Sequence, residues 1–392
     1  MLSEKTIEIV KATAPVLEVK GKEITTYFYK TMFADHPELL NIFNHANQEK
    51  GRQQTALANT VYAAAKHIDQ LEVLVPAVKQ IGHKHRSLAV KPEHYPIVGE
   101  YLLKAIKEVL GEAATDEIIN AWAEAYGVIA KVFIDVEAEM YKEASEQPGG
   151  WMDFKQFEVV DKKEESSVIT SFYLKPKDGV NLPAYLPGQY ITIQVEIPGE
   201  EYTLNRQYSL SAAPTHDDYY RISVKKEMEQ KPEGKVSNYL HDHVNIGDTV
   251  EVSAPAGDFY LDMDSDKPVA LISGGVGITP MMSMLETLAA KKSAQPVTFI
   301  HASRNEEVHP FKEDTKQLME QLENGQAYVK YEQTDGYISK EFLKEVVHQD
   351  SICYVCGPVA FMEAMIRQLK ENGISDEQIR YEFFGPAVSL QA

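Results

Sequence analysis

Arg206-Gln207-Tyr208-Ser209 sets a guanidinium, an amide, a phenol and a hydroxyl side by side, between extended runs at 190–195 and 220–224. An aromatic ring can stack on a flat conjugated face, a hydroxyl can bond a ring nitrogen, and a guanidinium can fork onto a pyrophosphate. Those are the contacts of a flavin seat, although four such letters alone also suit an ordinary strand end. Gly274-Gly275-Val276-Gly277-Ile278-Thr279-Pro280 follows an apolar run at 269–273 and precedes a helix expected from Met281. Glycines there let the backbone approach phosphate, and a helix N-terminus favours the anion. The spacing is G-x-G-x-x-P rather than the commoner G-x-G-x-x-G. A third candidate, His85, falls with Leu74, Val78 and Ile81 on one stripe of a helix. An imidazole there is either a satisfied core residue or an axial iron ligand whose second ring nitrogen must be held. Cys353 and Cys356 have C-x-x-C spacing but lie in a β-rich apolar run, so inert packing is expected, and no second ligand pair supports zinc.

The elements that would position these groups change character along the chain. From Ser3 to Glu146 the periodicity is helical. Ser3 and Thr115 suit helix N-caps, and Pro15 is expected to bend or interrupt the first helix. Residues 23–34 are closed by Asp35-His36-Pro37, a helix is expected over 53–68 with Leu57 on its apolar side, Pro76 opens another, and Gly111 ends one over 96–110. Gln147-Pro148-Gly149-Gly150 breaks the pattern. Short runs at 154–160, 168–174, 190–195, 206–210, 220–224 and 249–253, separated by turn signals, predict a small antiparallel barrel. Residues 235–240 look like a loop entering a short helix. From Asp266, strands at 269–273, 297–302 and 352–355 alternate with helices at 312–322 and 361–369. That alternation predicts a parallel sheet with ligands at its strand C-termini. The expected units are therefore 1–147, all-α; 151–263, an antiparallel β-barrel; and 266–392, an α/β nucleotide-binding unit.

The first unit resembles the globin domain of bacterial and yeast flavohaemoglobins. The matching residues are Tyr29, Phe43, Gln53, His85 in His-Lys-His-Arg, Tyr95 and Glu137. The resemblance implies that His85 is the proximal ligand of haem b, with Tyr95 and Glu137 hydrogen-bonded around it and pushing electron density to iron. It implies that Tyr29 and Gln53 lie on the distal side, with Phe43, Leu57 and Lys84 in or beside the pocket. His45, His67 and His83 receive no role. The remaining chain resembles the ferredoxin-reductase-type flavoprotein module, through Gly188-Gln189-Tyr190, Arg206 to Ser209, Lys235-Val-Ser237, Gly275 to Pro280, Cys356-Gly-Pro358 and Glu382-Phe-Phe-Gly-Pro386. It implies that Tyr190, Arg206, Gln207, Tyr208 and Ser209 contact FAD and that Gly274 to Thr279 take NAD(P)H. Phe384-Gly385 would close over the flavin and Glu382 would couple flavin to haem. Some relatives carry Cys where this chain has Phe383.

Together the two resemblances imply a nitric oxide dioxygenase, which turns NO and O2 into nitrate at haem with electrons from NAD(P)H through FAD. Anaerobic reduction of NO or peroxide, or an O2 or NO carrier or sensor, are the alternatives; a carrier needs no built-in hydride input. After the second strand, Arg304 could pair a 2′-phosphate while Glu306 and Glu307 would repel one, which favours NADH. The glycine linker would permit interdomain motion. The net charge of −20 disfavours nucleic acid and anionic membrane as partners. No run is long and apolar enough to span a membrane, no signal peptide is seen, and two cysteines make no disulfide framework. A cytoplasmic monomer is expected.

Overall fold

A computed structural model of the protein describes residues 2–43, 48, 50–215, 218–229 and 233–385. His45 and Pro386 lie outside the described residues. The helical unit contains α1 (Glu4–Asp35), α2 (Arg52–Lys66), α3 (Val75–Ser87), α4 (His94–Leu110) and α5 (Asp116–Glu146). The Ser3 hydroxyl accepts the Thr6 N–H and the Thr115 hydroxyl accepts that of Ile118, satisfying amide groups a helix start leaves unpaired. Pro15 does not interrupt α1, which runs through it. The ring sits on the exposed face, as does Lys11, so the Lys11 carbonyl that loses its N–H partner meets water. Gly21 brings α1 onto α2, where an added Cβ would stand 3.2 Å from that of Ala58. The core between α1, α4 and α5 holds Phe28, Met32, Ile106 and Trp122, all buried.

Gly149 and Gly150 form a tight turn rather than a loose tether. Gly149 has φ +77°, a Cβ there would meet the Asn181 carbonyl, and the Gly150 N–H bonds the Gln147 carbonyl at 2.8 Å. Trp151 then anchors the chain through an indole N–H donated to the Val252 carbonyl at 3.0 Å. The barrel comprises β1 (Phe154–Ser166), β2 (Ile169–Pro176), β3 (Tyr190–Val195), β4 (Leu204–Ser209), β5 (Tyr220–Lys225), α6 (Lys235–His243) and β6 (Thr249–Ser253). Its antiparallel order is β4-β3-β6-β1-β2-β5, and a bridge between Leu210 and Ile222 joins the two ends. β1 extends beyond the expected 160 because its polar second half pairs with β2 across two irregularities in register.

The last unit is β7 (Val269–Gly274), α7 (Ile278–Ala290), β8 (Val297–Ser303), α8 (Lys312–Glu320), β9 (Gly325–Tyr331), α9 (Lys340–Val346), β10 (Ile352–Cys356), α10 (Val359–Glu371) and β11 (Ile379–Glu382). The sheet is parallel, ordered β11-β10-β7-β8-β9. α7 and α8 pack one face with Phe299 and Tyr354; α9 and α10 pack the other with Ile272 and Val355. A buried ion pair ties this unit to the barrel: Arg221 of β5 meets Glu286 of α7 at 2.6 Å, and the other Glu286 oxygen accepts the Ala213 N–H at 2.7 Å.

Candidate functional site

α3, α4 and α5 each deliver one polar side chain to a single point. The His85 Nδ1–H donates to Glu137 Oε1 at 2.7 Å, and the Tyr95 hydroxyl donates to the same oxygen at 2.6 Å, 3.2 Å from the imidazole. Glu137 is 3% exposed. A carboxylate that deep needs such donors, and accepting from Nδ1 fixes the tautomer and leaves Nε2 as an acceptor. Burial first, then the Glu137 carboxylate, pushes the Tyr95 phenol well above its ordinary range, so it remains the donor. Tyr126 holds Tyr95 from behind by donating to its carbonyl at 2.6 Å, and Gly99 makes room for the Tyr126 ring. The Phe133 ring lies 6.0 Å from that of His85.

His85 and Tyr95 line a cavity of about 870 Å³ whose helical-unit part also holds Tyr29, Phe43, Gln53, Leu57 and Lys84. Tyr29 meets Phe43 edge-on at 5.8 Å, and burial raises its phenol above the ordinary range, so it stays protonated. Gln53 Oε1 is buried without a protein partner among the described residues. The same cavity continues through Tyr190 of β3 and Arg206, Gln207, Tyr208 and Ser209 of β4, past Glu382, Phe384 and Gly385, to Val276 and Thr279. β3 and β4 pair Tyr190 with Ser209 and Thr192 with Gln207, which brings the aromatic beside the four-residue stretch. The Tyr190 hydroxyl is buried with no hydrogen bond of normal length among the described residues, although the Ser87 hydroxyl is near enough to act on it. The Gln207 amide donates to Ser87 Oγ at 2.9 Å, two residues beyond His85 on α3. Lys84 Nζ donates to the Gly385 carbonyl at 2.7 Å. Burial pushes the Glu382 carboxyl up to about 7, with Lys84 opposing and Asp258 adding to the rise.

At the far end, Gly275 turns at φ +53° and a Cβ on Gly277 would collide with the Cys356 carbonyl. Both glycines are thus required by the backbone path that aims the N-terminus of α7, which begins at Ile278 rather than Met281. Val276 and Thr279 face the cavity; Gly277 and Ile278 are buried beneath them, and Gly274 packs on Phe361. Cys353 and Cys356 are free and buried on opposite faces of the sheet; burial pushes the Cys353 thiol up to about 12 and the Cys356 thiol well above its ordinary value. Arg304 is not free beyond β8: it forks onto Glu229 of the barrel unit, and Glu306 pairs with Lys312. Sequence reasoning missed Ser87, and also Asn41, which bonds Thr203 and Asn205 across the first interface. No local pattern distinguishes either: each also bonds a backbone carbonyl three residues earlier, Ser87 to Lys84 and Asn41 to Glu38, as such residues do anywhere, and the contact across the domain boundary leaves no mark in the sequence. A held imidazole, buried unpaired polar atoms and an anion-accepting helix start fit the donor sets of haem, flavin and dinucleotide respectively.

Comparisons with known proteins agree with that division. The globin family matches residues 26–133, the oxidoreductase FAD-binding domain residues 156–260, and the oxidoreductase NAD-binding domain residues 271–367. The chain is 59% identical to the flavohemoprotein of Bacillus cereus, with all of both chains covered. Among solved structures it is similar to the flavohemoglobin of Malassezia yamatoensis with bound FAD and heme, at TM-score 0.86 and 29% identity over 98% of this chain and 100% of that one. It is also similar to the FAD/NAD-binding domain of a nitric oxide dioxygenase from Vibrio cholerae, at TM-score 0.55 and 41% identity over 60% of this chain and 100% of that one.

Proposed function

The chain belongs to the flavohemoprotein family, and we propose that it is an NAD(P)H-driven nitric oxide dioxygenase that converts NO and O2 to nitrate. It is an oxidoreductase of globin, FAD-binding and NAD-binding parts, with haem, FAD and a nicotinamide nucleotide as cofactors. When bound, the nicotinamide supplies hydride, the flavin turns an electron pair into single electrons, and haem supplies O2 binding and activation.

The observation that carries the reading is the single cavity running from Tyr29, past His85 and the β3–β4 seat, to Thr279. In it, His85 Nε2 would hold the haem iron, and the Glu137–Tyr95 pair would keep the imidazole oriented and electron-rich. The Tyr29 hydroxyl, with Gln53 beside it, donates to the oxygen side, while Phe43 and Leu57 keep that side apolar. Tyr190, Gln207, Tyr208 and Ser209 orient the flavin ring, Arg206 holds its pyrophosphate, and Phe384 with Gly385 covers it. Lys84 and Glu382 set the charge between the two centres. Gly274 to Thr279 seat the dinucleotide phosphates. The functional units are taken as 1–147, 151–263 and 266–392, in a cytoplasmic monomer. The nitric oxide dioxygenase from Vibrio cholerae, similar over the reductase half, supports the choice of substrate.

The route of electrons is tested by anaerobic stopped flow. NADH should bleach flavin absorbance first and shift the haem bands second, in one protein and without an added mediator. Haem that stays oxidised while flavin is reduced would move the reading to a carrier or sensor.

A further inference from the structure

We propose that Glu229, a residue of the barrel unit, selects the nicotinamide nucleotide that lacks a 2′-phosphate. In doubly wound sheets the adenosine ribose lies beyond the second strand. There a carboxylate accepts from its hydroxyls, or an arginine pairs with a 2′-phosphate. This chain places Arg304 there, one residue past β8. Its guanidinium is already engaged, since Nη1 and Nη2 donate to the two oxygens of Glu229 at 2.6 Å each. Glu229 sits four residues after β5, and Glu227 and Glu233 on either side of it border the cavity that also reaches Thr279. The carboxylate that reads the ribose is therefore delivered from the neighbouring domain and held by the arginine.

Two consequences follow from the chemistry. A carboxylate offers about four acceptor positions, and the fork uses two, so ribose hydroxyls can still donate to the others. A 2′-phosphate would have to displace Glu229 from Arg304 and then lie beside a like charge. Glu332 and Glu227 also act on the Arg304 guanidinium, less strongly than Glu229, while Glu306 is occupied by Lys312. Both partners of the fork are accessible to a ligand, with side chains 49% and 61% exposed, so solvent screens the effect to a moderate size.

The inference rests on the nucleotide site of the proposed function, not on its NO chemistry. Its test uses the full chain loaded with haem and FAD, and measures NADH and NADPH reduction of ferricyanide through the flavin. In Glu229→Gln, KM for NADPH should fall and KM for NADH should rise, changing the ratio of kcat/KM values about fivefold, the upper scale of one exposed charge contact. Adding Arg304→Gln to that variant should abolish the gain for NADPH. A merely structural role for the fork would move both KM values in the same direction. That result, or no change in the ratio, or a gain that survives loss of Arg304, overturns the proposal. Failure of NO oxidation would leave these readouts untouched.

Discussion

One buried carboxylate, Glu137, organises the haem-side residues: it accepts hydrogen bonds from both His85 and Tyr95. His85→Ala should abolish the haem Soret band while NADH-to-ferricyanide activity persists; normal haem content would refute the ligand assignment. Tyr29→Phe should slow NO consumption about a hundredfold, the lower scale of one donor aimed at developing charge. Flavin reduction should be unchanged. His85 was legible because its helical stripe turns an imidazole inward, and the structure sets it half-buried against the cavity. The Ser87–Gln207 bond was not, since a serine at a helix end looks the same whether it meets water or another domain. In the sequence Arg304 suits a 2′-phosphate with Glu306 and Glu307 opposing; only the fold shows that a carboxylate 75 positions earlier closes on it.

Among the elements, those with continuous apolar runs were readable and those at edges were not. β7, β8 and β10 are buried almost throughout and stood out, whereas β9 alternates exposed and half-buried residues and β11 has only four. Pro15 misleads for a related reason, because sequence alone does not say which face of a helix meets water. The C-terminal edge of β8 carries a stacked pair, His301 and His309, with ring centroids 4.7 Å apart. Burial, then the nearby Lys312, lowers His309 to about 4, and burial takes His301 well below its ordinary value. Between that value and about 6.5 the unfolded chain binds protons that the folded chain refuses, so stability should fall as pH drops through the window. Thermal midpoints taken from pH 7 to pH 4 should show that slope, and His309→Gln should flatten it; an unchanged slope would count against neutral burial.

At the scale of the whole molecule, the order of three units was visible in the change of texture at residues 147–151 and again near 266. The way they lock together was not. The glycine linker is a packed turn, and the reductase half is joined through Arg221 and Glu286, far apart in the chain. Glu286→Ala would leave a buried guanidinium without its counter-ion, at a cost of about 3–5 kcal/mol. A lowered thermal midpoint together with slower reduction of FAD by NADH is expected; an unaltered midpoint would show the pair to be incidental.

The most direct measurement is NO loss at an NO electrode with haem- and FAD-replete protein and NADH, first in air-saturated buffer and then without O2, with nitrate assayed at the end. Rapid loss that requires O2 and ends as nitrate is predicted. Loss only in the absence of O2, or none while NADH reduces the haem, would contradict the dioxygenase.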